Sequence, residues 1–192
     1  MFARSVVCIM ILGAAFAVQA QEARDTAQTT IEGKQVTIEY GSPALKGRTL
    51  ADLMKQLPAD RIWRAGAGAV TTLEMESDLI MGGTKVSAGK YSLYMYCPEN
   101  GDYALVINSD LGMPLGDIIP NAPPERAEQP YPHFWNYGGD IGDKEVARIP
   151  LKKISLPNTE MLKYTFQPAE KGALLSISWE KQAWTIEFQP AG

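Results

Sequence analysis

Three short stretches near the end of the chain decide the fold: Leu162-Lys163-Tyr164-Thr165-Phe166-Gln167, Leu175-Ser176-Ile177-Ser178-Trp179 and Trp184-Thr185-Ile186-Glu187-Phe188. Large apolar and polar residues alternate in each. Successive side chains of a strand point to opposite faces, so a period of two describes strands packed on one side and wet on the other. The same alternation runs upstream through Val36, Ile38 and Tyr40, through Tyr91, Leu93, Met95 and Cys97, and through Tyr103, Leu105 and Ile107. Turn signals separate these runs: Glu32-Gly33-Lys34, Gly82-Gly83, Ala88-Gly89 and Asn100-Gly101. Glu180-Lys181-Gln182 is expected to join the last two strands. Only residues 50–57 show a helical stripe, with Leu50, Leu53, Met54 and Leu57 on one side, Thr49 placed to cap it and Pro58 to stop it. The expected fold is all-β: an antiparallel β-sandwich, jelly-roll-like, with one short helix.

The first residues suggest a compartment. Arg4 precedes an apolar run over residues 5–16, and Val18-Gln19-Ala20 follows it with small residues at the cleavage-directing positions. This pattern reads as a secretory signal peptide over residues 1–20, cut after Ala20, giving a periplasmic or secreted protein. The run is shorter than the roughly 20 residues a spanning helix needs, so stable membrane insertion is not expected. Residues 21–28 are polar and read as a flexible N-terminus, and residues 29–190 as a single β domain large enough for one core. Cys8 would be removed with the leader, leaving Cys97 without an intrachain partner; its place at the end of an apolar strand suits a small core hydrophobe. The net charge is −4 and no basic block occurs, so clustered positive charge for nucleic acid is lacking.

Residues 109–142 break the alternation. They carry Pro114, Pro120, Pro123, Pro124, Pro130 and Pro132, and read as a long loop. Tyr131, His133, Phe134, Trp135 and Tyr137 crowd its second half, and so many rings argue for order there, with the segment lying over the sandwich.

Chemical motifs are few. The chain has no G-x-S-x-G, no P-loop and no H-E-x-x-H, and His133 is its only histidine. No carboxylate or cysteine stands beside His133 at a ligand spacing, so neither a metal nor a cofactor is expected. Trp63-Arg64 is the most suggestive pair. A guanidinium fork beside an indole can pin a loop through several carbonyls, or it can hold a carboxylate or sugar hydroxyl. Arg48, in Lys46-Gly47-Arg48, adds a second cation before the helix.

Several of these pieces occur together in one pattern: Tyr40 with Ser42-Pro43, Lys46-Gly47-Arg48, Trp63-Arg64 with Gly66-Ala67, Thr71-Thr72, Ala88-Gly89 with Tyr91-Ser92-Leu93, and Trp179-Glu180. In this the chain resembles the DUF2911 family, a bacterial secreted domain of unknown function, from about Thr29 to Phe188. The resemblance implies a fold and a compartment and no reaction. The family pattern often carries Asn-Glu where this chain has Gly68-Ala69, and Thr where it has Ala65. Those departures remove polar side chains beside Trp63-Arg64.

Three functions fit these residues. The leading expectation is a module binding a small molecule or glycan through Trp63, Arg64, Arg48, His133, Trp135 and Tyr137. The second is a periplasmic hydrolase using His133 with Asp140 or Asp143 in acid/base roles. The third is a structural envelope protein that meets another protein along a sheet edge.

Overall fold

The computed structural model describes residues 24–133 and 136–192. In chain order the elements are β1 (Arg24–Ile31), β2 (Lys34–Gly41), α1 (Leu50–Met54), β3 (Ile62–Trp63), β4 (Thr72–Met75), β5 (Leu79–Met81), β6 (Thr84–Val86), β7 (Gly89–Tyr96) and β8 (Ala104–Asn108). They continue with β9 (Met113–Pro114), α2 (Leu115–Ile118), β10 (Pro130–Tyr131), α3 (Tyr137–Asp140), a 3-10 turn at Gly142–Lys144, β11 (Glu145–Pro150), β12 (Lys152–Ala169) and β13 (Gly172–Pro190). No helix among the described residues is long and apolar enough to cross a membrane.

All strand pairs are antiparallel. One sheet runs β1-β2-β4-β7-β8-β11, with β3 paired to β7; a second runs β12-β13-β5-β6. The inner faces of both contribute to one core. Ile38, Leu73 and Leu93 come from the first sheet and Met81, Leu175 and Ile177 from the second. Three aromatic pairs bridge the layers. Tyr40 meets Tyr164 with ring centroids 4.5 Å apart, Trp63 stacks on Trp179 at 5.4 Å, and Tyr103 stacks on Trp184 at 5.1 Å. Each such pair adds about 0.5–1.5 kcal/mol beyond the area it buries. The antiparallel sandwich expected from the alternation is therefore present.

Several boundaries differ from expectation. Arg24 to Gln28 were expected to be loose, yet they pair with Gly41 to Thr37, and Arg24 donates to the carbonyls of Ala69 and Val70. Polar composition did not prevent pairing, because β2 offers a complete edge. Thr49 does cap α1, accepting from the Asp52 N–H, but the regular helix ends at Met54 and two further short helices lie in the 109–142 region. Glu180-Lys181-Gln182 is not a turn. β13 passes through it, and the reversal lies at Ala169↔Gly172. The buried apolar side chains of β13 sit at odd positions up to Trp179 and at even ones from Trp184. Glu180, at φ 56°, lies between the two runs, and shifts in the β12–β13 register flank its pairing with Thr159. Gly82-Gly83 does close the β5–β6 hairpin, both residues at positive φ as a tight two-residue turn demands. Ala88-Gly89 instead carries the chain from one sheet to the other.

The loop following β3 is pinned from several directions. Ala65 sits at φ 54°, an uncommon conformation for a residue with a side chain. Its carbonyl accepts from the Tyr164 hydroxyl at 2.7 Å and the Thr71 hydroxyl at 3.3 Å. Burial pushes the Tyr164 hydroxyl well above its usual pKa, so it stays a donor. Gly41 lies so close beneath the loop that a Cβ there would stand 2.0 Å from the Ala67 carbonyl oxygen.

Two outcomes follow from these contacts. Tyr164→Phe leaves the Ala65 carbonyl with one donor in a buried setting, and urea unfolding should show a loss of about 0.5–1.5 kcal/mol; an unchanged midpoint would mean that the loop is held elsewhere. Cys97 is fully buried and its thiol pKa is raised by that burial, so a thiol reagent should react only after denaturant is added.

Candidate functional site

Trp63, Arg64 and Arg48 line one cleft of about 420 Å³, within the range of small-ligand pockets. Three segments wall it. The first, residues 42–48, is fastened to β12: Leu45 N–H donates to Glu160 O, Leu162 N–H to Pro43 O, and the Ser42 hydroxyl to Leu162 O. The second is α1 and the turn after it, which present Leu53, Gln56, Leu57 and Pro58. The third is residues 62–67. Trp179 of β13 completes the lining.

Arg48 is held by its own turn. Its Nε donates to Leu45 O at 2.9 Å and its Nη2 to Ala44 O at 3.2 Å. Those bonds use two of the five guanidinium N–H groups. Trp63 is almost wholly buried and stacked nearly parallel, at 16°, on Trp179. The Trp179 indole donates to Glu160 O. Arg64 is half-buried at the cleft wall. No Asp or Glu is among the described lining residues.

His133 and Tyr137 are elsewhere. Ile62 and Trp63 are adjacent in β3, and neighbours in a strand point to opposite faces. Trp63 enters the main core, whereas Ile62 joins a second, smaller core on the outer face of the first sheet, with Tyr94, Val106, Tyr137 and Ile141. The 109–142 region covers that face. The Tyr137 ring meets Tyr94 edge-on at 5.0 Å, and its hydroxyl accepts from Asn108 and donates to Glu145 Oε2. Asn108 is fully buried and saturated: Nδ2 also donates to Ile141 O, and Oδ1 accepts from the Asp110 N–H. Tyr137 is thus a covering residue and not a wall of the cleft, because the odd–even alternation of β3 separates the two faces. Phe134 and Trp135 lie outside the described residues, so the expected aromatic wall is represented only by Tyr131, His133 and Tyr137.

The partner expected for His133 is also different. Its Nε2 lies 3.4 Å from Asp110 Oδ1, whereas Asp140 accepts from Asn136. Asp110 is engaged in addition by Lys144 Nζ at 2.7 Å and the Gly112 N–H at 2.9 Å. Burial alone would raise the Asp110 pKa, but Lys144, the Gly112 N–H and the His133 charge together hold it below the usual carboxylate value. The cluster ties the covering segment to the end of β8, away from the cleft. Among the described residues no group of three or more His, Cys, Asp or Glu side chains could hold a metal ion. Trp179 and Gln56 could not be read as cleft residues from the chain alone, since their approach depends on sheet packing. Asn108-Ser109-Asp110 at a strand end was the available signal for the second cluster.

The family model described as "Protein of unknown function (DUF2911)" matches residues 22–119, just over half of the chain. The chain belongs to this family. The match includes Arg48, Trp63 and Arg64 and stops before the aromatic half of the 109–142 segment and before β11 to β13. No curated protein and no solved structure matches the chain.

Two measurements probe the outer face. The Tyr94 hydroxyl is buried and has no hydrogen-bond partner among the described residues; it lies near the His133 backbone and the Ser92 hydroxyl without bonding geometry to either. Burial pushes its pKa up to about 12. Tyr94→Phe should therefore raise stability, by about 1 kcal/mol, the reverse of Tyr164→Phe; a fall in the urea midpoint would show that the hydroxyl is bonded. Asp110→Asn should lower stability at neutral pH. A depressed carboxylate stabilises above its unfolded pKa, here 3.8, and loses that contribution as pH falls through the folded value. The difference between the two proteins should therefore persist at pH 5 and shrink below about pH 4 in acid titrations of unfolding.

Proposed function

We propose that this domain binds a small molecule in the cleft between α1, residues 42–48 and residues 62–67. The observation that carries the proposal is the convergence of Arg48, Arg64 and Trp63 on one concave site of ligand size. Rigid supports favour it: Arg48 is clamped by two carbonyls, and the loop beside Arg64 is tied down through Ala65. Preorganised groups lose little freedom on binding.

A glycan fits less well than a compact small molecule. Sugars stack on open ring faces, and here Trp63 and Trp179 cover each other. A hydrolase reading loses its centre, because His133 and Asp110 sit apart from the cleft and serve the covering segment. A periplasmic or secreted location belongs to the same proposal and rests on Arg4, the apolar run and Val18-Gln19-Ala20. Intact mass of the native protein should begin at Gln21.

A thermal-shift screen with a small-molecule library tests the site. A ligand at about one hundred times its dissociation constant stabilises by roughly 2.7 kcal/mol, well within reach of such a screen. Gln56 is exposed at the cleft wall, so Gln56→Trp should fill the cleft with little effect on the unliganded melting temperature. Ligands found with the wild-type protein should lose their shift in this variant. Shifts that survive it would place binding outside the cleft.

A further inference from the structure

We infer that the ligand of this cleft is an organic anion: one carboxylate joined to a compact apolar body. The inference rests on the reading of the cleft as a ligand site and adds the chemistry of what fills it.

Charge is the first observation. The chain as a whole is acidic, at −4, yet the described residues that line the cleft include two arginines and no carboxylate. Net charge repels anions at long range, so a locally cationic cleft marks a place where an anion is drawn in against the protein's own field. A guanidinium fork matches a carboxylate bidentately, and Arg48 keeps N–H groups beyond those given to Leu45 O and Ala44 O.

The remaining lining is the second observation. Leu53, Met54, Leu57 and Trp63 are apolar. Gln56 adds one neutral amide, whose Nε2 donates to Asp52 O. A phosphate dianion needs many convergent donors to replace its water, and walls this apolar do not supply them. A singly charged head at Arg48 with an apolar body against Leu53 and Leu57 satisfies both parts of the cleft. The space, about 420 Å³, suits a single ring or a short chain.

The test is a matched panel titrated into the purified protein by calorimetry: phenylacetate, indole-3-acetate and hexanoate, each against its primary amide, with inorganic phosphate alongside. The amide keeps the shape and removes the charge. At least one carboxylate should bind at least tenfold more tightly than its amide, and its affinity should fall as sodium chloride is raised. Arg48→Gln should weaken that carboxylate at least tenfold and leave the amide unchanged, and Arg48→Lys should recover part of the loss. The wild-type comparison of carboxylate with amide stands even where a variant folds poorly. Amides that bind as tightly as their acids would overturn the anion inference while leaving the cleft as a ligand site. Phosphate binding as tightly as the best carboxylate would overturn the requirement for an apolar body. If nothing in the panel binds while neutral library compounds do bind in the cleft, the anion inference fails alone. If neither the panel nor the library binds, the reading of the cleft fails with it.

Discussion

A single backbone carbonyl organises the site. Ala65 O receives the hydroxyls of Tyr164 in β12 and of Thr71 just before β4. The residue that owns it is held at positive φ, which costs on the order of 1–3 kcal/mol in an ordinary chain. Two buried hydrogen bonds offset that cost and set the path of the chain after Trp63-Arg64. Tyr164 is itself placed by Tyr40, whose hydroxyl accepts the Tyr164 N–H and whose ring lies against it. Gly41, one residue on, leaves room for Ala67 to pass directly above. Sheet pairing, aromatic packing and loop geometry thus converge where the cleft begins.

The sandwich uses its two faces differently. Inside, the aromatic pairs join the sheets and bury Cys97. Outside, the face of β7 and β8 would expose Tyr94 and Val106, and the 109–142 segment covers it. Fixing such a segment costs roughly 1–2 kcal/mol of entropy per residue. Its proline content lowers that cost by restricting the unfolded chain. Asn108 and Asp110 then anchor it at one end, through Ile141 O, Tyr137 and Lys144. Tyr137 of the segment serves this cover, so a length and composition that suggest a binding loop can equally mark a second core.

The cleft lies where residues 42–48, α1 with the turn after it and residues 62–67 meet over the middle of β13, and connections on a rigid scaffold are where binding groups gather. Its cations belong to the part of the chain matched by the family model, whereas Trp179 and the β12 carbonyls that support it belong to the part beyond the match. Where the family pattern often has Asn-Glu, this chain has Gly68-Ala69, and the nearby carbonyls of Ala69 and Val70 are taken by Arg24. Backbone and arginine contacts, rather than the side chains of residues 68 and 69, shape this loop.

The strands were legible because alternation is a local property: Leu93, Met95 and Cys97 must share a face wherever the strand sits. The tight turns at Glu32-Gly33 and Gly82-Gly83 were legible for the same reason, since positive φ is a demand on single residues. The continuity of β13 was not. Trp179 and Trp184 are five residues apart, an odd spacing that reads as two strands, and the kink at Glu180 which reconciles them is held by pairing with β12. The arginine–tryptophan pair stood out in the sequence, but its cleft did not. Its walls come from segments more than one hundred residues apart, such as Arg48 and Trp179, whose meeting depends on how two sheets stack. His133 and Tyr137 were separated from that pair by one step along β3, where Ile62 and Trp63 face opposite ways. Alternation within a strand is settled residue by residue, whereas which faces meet is settled only when long-range burial selects one packing of the whole chain.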